Sequence, residues 1–89
     1  MKLAFISGGS RGLGREVAKA LKAAGMRVVT ISKDESRATA TATEFGFEYE
    51  IADLQDQSAA RAIAEKMLTK YGTPQVVVLA HGVMSEKMA

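Results

Sequence analysis

The segment SGGSRGLG, residues 7–14, is the part of the sequence best suited to chemistry. Its four glycines follow the apolar run 3–6 and precede a stretch of helical period. Glycine lets the backbone turn sharply out of a strand and lets N–H groups approach a ligand without a Cβ in the way. A helix that begins near Gly12 adds unpaired N–H groups and the positive end of its dipole. The segment therefore predicts a loop that binds a diphosphate.

The spacing of these glycines leaves a structural alternative open. Gly8, Gly12 and Gly14 do not follow G-x-G-x-x-G, since Val17 stands three residues after Gly14. A glycine-rich turn can also be a tight connection that binds nothing. Its position between a first strand and an amphipathic helix, with a second apolar run following, favours dinucleotide binding.

Composition excludes several other kinds of site. The chain has 89 residues, no cysteine and one histidine, which predicts a single domain with no disulfide, no thiolate chemistry and no metal cluster. Its net charge of +2 comes from interspersed acids and bases, unlike the single-sign surface of a nucleic-acid-binding protein. No apolar run approaches the roughly 18 to 20 residues of a membrane-spanning helix. We expect a cytoplasmic protein that binds neither nucleic acid nor membrane.

Short apolar runs alternate with segments of helical period, which is typical of a parallel α/β sheet. The least clear segment is 38–43, where alternating Ala and Thr are compatible with a strand or a low-complexity tract. A helix is favoured because alanine is a strong helix former and because Asp34 or Ser36 can cap it. The predicted strands are 3–7, 26–31, 47–52 and 76–80, and the predicted helices are 12–24, one around 38–43, and 55–71.

The order of the strands follows from which strand faces we expect to be buried and from the right-handedness of crossover connections. Run 47–52 alternates apolar residues with Glu48 and Glu50, so we expect an edge strand with one face in water. Right-handed crossovers then predict four parallel strands in the order 3-2-1-4 with three helices, two on one face and one on the other. This is half of a doubly wound Rossmann sheet. Ligands of such sheets bind beyond the carboxyl ends of the strands, at the switch point between strands one and four. Segment 7–14 lies at that point.

Three motifs in the right order resemble the N-terminal half of the short-chain dehydrogenase/reductase family over nearly the whole chain. Residues 7–14 resemble the family's T-G-x-x-x-G-x-G loop, with serine in place of threonine. Asp53-Leu54 matches its D-[LVI] pair, and residues 71–78 resemble its approach to strand four. The resemblance implies a truncated dinucleotide-binding domain over residues 1–89. The cofactor-binding residues that it implies are Gly8, Ser10, Arg11, Gly12, Leu13, Gly14, Ser32, Lys33, Asp53, Leu54, Ala80 and Gly82.

Two departures from the family pattern bear on activity. The family's N-N-A-G sequence is here Leu79-Ala80-His81-Gly82, which keeps only the glycine. The catalytic serine and the Tyr-x-x-x-Lys pair are absent, so no catalytic residue is assigned. We therefore expect the cofactor-binding half of an oxidoreductase. The alternative is a non-catalytic small Rossmann module that binds a dinucleotide or only associates with itself.

The charges at the end of strand two favour NADP over NAD. NAD enzymes of the family commonly place an acid where this chain has Ser32, and Lys33 follows it. Lys33 and Arg11 could both bind a ribose 2′-phosphate, although solvated surface bases are the plain alternative. Asp34 is the argument for NAD, because it falls twenty residues after Gly14.

Two further alternatives concern single regions of the chain. Asp53 could cap the third helix or bond to nearby backbone instead of contacting adenine. Strand 76–80 is apolar on both faces, and an open apolar edge promotes association. We therefore expect a homodimer, or pairing of this strand with a complementary chain.

Overall fold

The structure is a computed structural model that describes residues 2–8 and 12–79. Its four strands form one parallel sheet in the order β3-β2-β1-β4, which confirms the predicted topology. Most predicted boundaries differ from the observed ones by a few residues. The elements are β1 (Leu3–Ser7), α1 (Gly12–Ala23), β2 (Arg27–Ser32), α2 (Glu35–Phe45), β3 (Glu48–Ile51), α3 (Gln57–Tyr71) and β4 (Val76–Leu79).

The central strand β1 is buried at all five positions and separates two hydrophobic clusters. Such complete burial is expected of a parallel strand that is covered on both faces. One cluster lies between the sheet and α3, and the other lies under α1 and α2. The α3 cluster contains Leu3, Phe5, Val29, Ile63 and Met67, and the α1–α2 cluster contains Ile6, Ala18, Val28, Ala42 and Phe47.

The Ala/Thr segment is a helix, as predicted, and it extends beyond 38–43 at both ends. Asp34 is its N-cap, because the Asp34 carboxylate accepts a hydrogen bond from the backbone N–H of Arg37. Gly46 ends it in the left-handed region at φ 78°, where glycine lacks the Cβ that would strain other residues. The alternation of Ala and Thr therefore reflects a helix with small residues on its buried face.

Strand β3 does meet water on one face, but Glu50 on its glutamate-bearing face is buried. Glu50 lies under α3 and is only 6% exposed, whereas Ile51 on the opposite face is 39% exposed. The carboxylate of Glu50 is buried because side chains from α3 supply hydrogen bonds that replace water. Strand β3 still lies at the end of the sheet order.

Helix α3 buries only some of its large apolar side chains. Ile63 and Met67 pack into the α3 cluster, whereas Leu68 is 51% exposed. Strand β4 also has an exposed apolar face, since Val77 and Leu79 are 60% and 59% exposed. Within the described residues, β4 pairs with β1 along one edge.

Candidate cofactor site

The site lies at the carboxyl edge of the sheet, where β1 leads into the glycine-rich segment. Ser7 ends β1 beside Leu79 of β4 and Ile31 of β2, so the segment begins between three strands. The backbone N–H of Gly8 donates to the Ile31 carbonyl at 3.1 Å. Gly8 has φ 74°, a conformation that other residues rarely adopt. Glycine is therefore needed here for the turn as well as for access.

The first turn of α1 is open above its backbone. Gly12 has φ 62°, and a Cβ placed on it would meet nothing within 4 Å. Leu13 beside it is 76% exposed, whereas Gly14 is buried against the sheet. The first turn carries no acidic residue to repel an anion. The described part of the segment thus fits a diphosphate that approaches uncovered N–H groups.

Asp34, in the turn after β2, has a structural role. The hydroxyl oxygen of Ser32 accepts a hydrogen bond from the Asp34 N–H at 3.1 Å. The Asp34 carboxylate in turn accepts from the Arg37 N–H at 3.1 Å. An acid that caps α2 in this way is oriented toward the helix backbone. Ser32 therefore ends β2 without a carboxylate, and the exposed Lys33 follows it.

At the end of β3, Asp53 does not cap α3. The N-cap is Asp56, whose carboxylate accepts from the N–H groups of Ser58 and Ala59 at 2.9 and 3.2 Å. Asp53 bonds to nearby backbone instead, accepting from the Gln55 N–H at 3.0 Å. Leu54 packs against the α3 cluster. Asp53 thus bonds to local backbone and does not cap the helix, it is exposed at this edge, and its contact with adenine stays a prediction.

Four predicted site residues lie outside the described residues: Ser10, Arg11, Ala80 and Gly82. The structure brings the remaining eight to the carboxyl edge, at the ends of β1, β2 and β3. Within residues 2–8 and 12–79, no group of three or more potential metal ligands is found. The described helices include none long and apolar enough to cross a membrane.

A buried polar cluster that the sequence reasoning missed lies under α3. Glu50 accepts hydrogen bonds from Tyr71 Oη at 2.6 Å and Lys70 Nζ at 2.9 Å, and Lys66 Nζ lies 3.1 Å from its other oxygen. Burial alone would raise the pKa of Glu50, but these donors outweigh it and lower the pKa to about 2. Burial, and then the bond to Glu50, raises the pKa of Tyr71.

This Glu50 cluster joins β3 to α3 and has no role in the cofactor edge. Lys66 and Lys70 are four residues apart on one flank of α3, and both reach the same carboxylate. The i, i+4 spacing of the two lysines was visible in the sequence, but their partner on β3 was not. An adjacent pair links β2 to β3, where Arg27 Nη2 donates to Glu48 at 2.8 Å. The hydrogen bond from Arg27 holds the pKa of Glu48 below its usual value.

A family model described as short chain dehydrogenase matches residues 2–89. The chain belongs to this family. The probable oxidoreductase EphD of Mycobacterium tuberculosis is 33% identical to it over 86 residues, which are 91% of this chain and 14% of that protein. The 3-oxoacyl-[acyl-carrier-protein] reductase FabG of Escherichia coli is 26% identical over 89 residues, which are 98% of this chain and 36% of that protein.

Solved structures of similar proteins include complexes with NADP or a derivative. The Pseudomonas aeruginosa RhlG/NADP complex matches 92% of this chain and 35% of that chain, with 29% identity and a TM-score of 0.86. An alcohol dehydrogenase from Thermococcus sibiricus, complexed with 5-hydroxy-NADP, matches 86% of this chain and 35% of that chain, with 30% identity and a TM-score of 0.79. This short-chain dehydrogenase chain thus spans about a third or less of the relatives it matches. The family binds nicotinamide dinucleotides.

Proposed function

We propose that the chain is the NADP(H)-binding half of a short-chain dehydrogenase/reductase oxidoreductase. The observation that carries the proposal is the space beside Gly12 in the first turn of α1, at the edge where β1 ends next to β4. A Cβ on Gly12 would meet nothing within 4 Å, so this turn leaves space for a ligand beside its backbone. Such a site fits the diphosphate of a dinucleotide.

NADP is the preferred cofactor of the proposal, with NAD as its alternative. Ser32 ends β2 where an acid would bind the ribose diol of NAD. Asp34, the nearest candidate for that acid, caps α2 through the Arg37 N–H. Lys33 supplies a cation beside this turn, and Arg11 supplies a second one in the sequence. A 2′-phosphate would gain charge-assisted hydrogen bonds from both bases.

The bound nicotinamide would supply or accept the hydride of the family's reaction. The glycine-rich segment would bind the diphosphate, and Asp53 with Leu54 would lie beside the adenine. General acid catalysis needs a group that is positioned at the reacting atom. The sequence has no Tyr-x-x-x-Lys pair, so we propose that the catalytic residues lie outside these 89 residues.

Calorimetric titration with NADPH and NADH tests the proposal, using Gly12→Ala and Gly25→Ala as a matched pair. Both glycines have positive φ, and an added Cβ at either meets nothing within 4 Å. Both substitutions strain the backbone, because alanine disfavours positive φ. Gly25 lies in the α1–β2 turn, away from the cofactor edge. We expect saturable NADPH binding that Gly12→Ala weakens and Gly25→Ala leaves unchanged. Equal affinities in the two variants would refute the site assignment.

A second candidate function is self-association, and the exposed side chains of β4 favour it. We propose that another strand, from a second copy or from a complementary chain, pairs with the edge of β4 that faces away from β1, where no described strand lies. Val77 is 60% exposed on this strand, and Ile51 on the opposite edge strand is 39% exposed. Sedimentation of the variants Val77→Lys and Ile51→Lys shows which edge strand of the sheet, β4 or β3, takes part in association. A loss of association in Val77→Lys alone supports pairing at β4, and a monomeric parent chain excludes the homodimer.

A further inference from the structure

We draw no further inference here: the strongest candidate, the exposed apolar face of β4 that carries Val77 and Leu79, belongs to the association already proposed for this strand, and nothing in residues 2–8 and 12–79 shows what covers it.

Discussion

Replacing Glu50 by glutamine tests whether the polar cluster under α3 stabilises the fold. The substitution keeps the shape of the side chain and removes the charge that Lys66, Lys70 and Tyr71 surround. Lowering a pKa from 4.5 to about 2 corresponds to about 3 kcal/mol of folding free energy. Because both lysines are more than half exposed, we expect Glu50→Gln to cost about 2 kcal/mol at neutral pH. A chain of this length has roughly 5 to 10 kcal/mol in total, so the variant should still fold.

The sign of the pH dependence follows from the direction of the pKa shift. The pKa of Glu50 is lower in the folded chain than its ordinary value of 4.5, so the folded state favours the ionised form. Its stabilisation is complete above about pH 5 and is lost as the pH falls from about 4.5 to about 2. The free energies of unfolding of the parent chain and Glu50→Gln should therefore converge over that range.

Urea denaturation at pH 7, 5 and 3, followed by far-ultraviolet circular dichroism, measures both effects. Glu65→Gln is the matched control, since Glu65 lies on the same helix and is exposed. We expect it to change the free energy of unfolding by less than about 0.5 kcal/mol at each pH. If Glu50→Gln is as stable as the control at pH 7, the cluster does not stabilise the fold. If its deficit stays constant down to pH 3, ionisation of Glu50 is not the cause.

Three further substitutions test the core, a helix cap and a surface ion pair. Met67→Ala should cost about 2 to 4 kcal/mol, because Met67 is 1% exposed; an unchanged urea midpoint would contradict its packing under α3. Asp56→Ala should cost about 1 kcal/mol by removing the cap of α3, and Asp56→Asn should retain most of that stability in the same assay. Arg27→Gln should lower the free energy of unfolding only slightly, since Arg27 and Glu48 have side chains that are 43% and 41% exposed. This last deficit should shrink in high salt, and a salt-independent deficit would assign it to packing.

The strand order was predictable because it depends on local hydrophobic patterns and on the right-handedness of crossover connections. The apolar runs of β1 and β2 placed these strands inside the sheet, the alternating run placed β3 at an edge, and right-handed crossovers left one natural order. The cap at Asp34 was also within reach, because Asp precedes a run of helix formers. These features need only information carried by neighbouring residues.

The environment of Glu50 was not predictable from the same patterns. Alternation in 47–52 shows that two faces differ, but it does not show whether a distant helix covers the polar one. Long lysine side chains on α3 hydrogen-bond a buried carboxylate while their stems remain half exposed. The roles of Asp53 and Asp56 were likewise ambiguous, since both acids precede α3 and only the geometry shows which one caps it.

One face of β4 is exposed because three helices do not cover both faces of four strands. Two helices cover one face and one covers the other. Strands are about 4.8 Å apart and a helix is about 10 Å wide, so one helix covers about two strands. Helix α3 packs on Phe5 of β1 and Val29 of β2, and its lysines reach Glu50 of β3. The face of β4 that carries Val77 therefore has no helix above it among the described residues.

This geometry separates the two kinds of partner proposed for β4. Two copies paired antiparallel through β4 would hold their α3 helices about 19 Å apart, which leaves a gap one helix wide over both strands. The backbone edge would then be paired while Val77 and Leu79 stay exposed. A complementary segment that brings a helix together with its strand would cover both the edge and these side chains. The complementary segment is therefore favoured. It would bury the apolar side chains of β4 that pairing of two β4 strands leaves exposed.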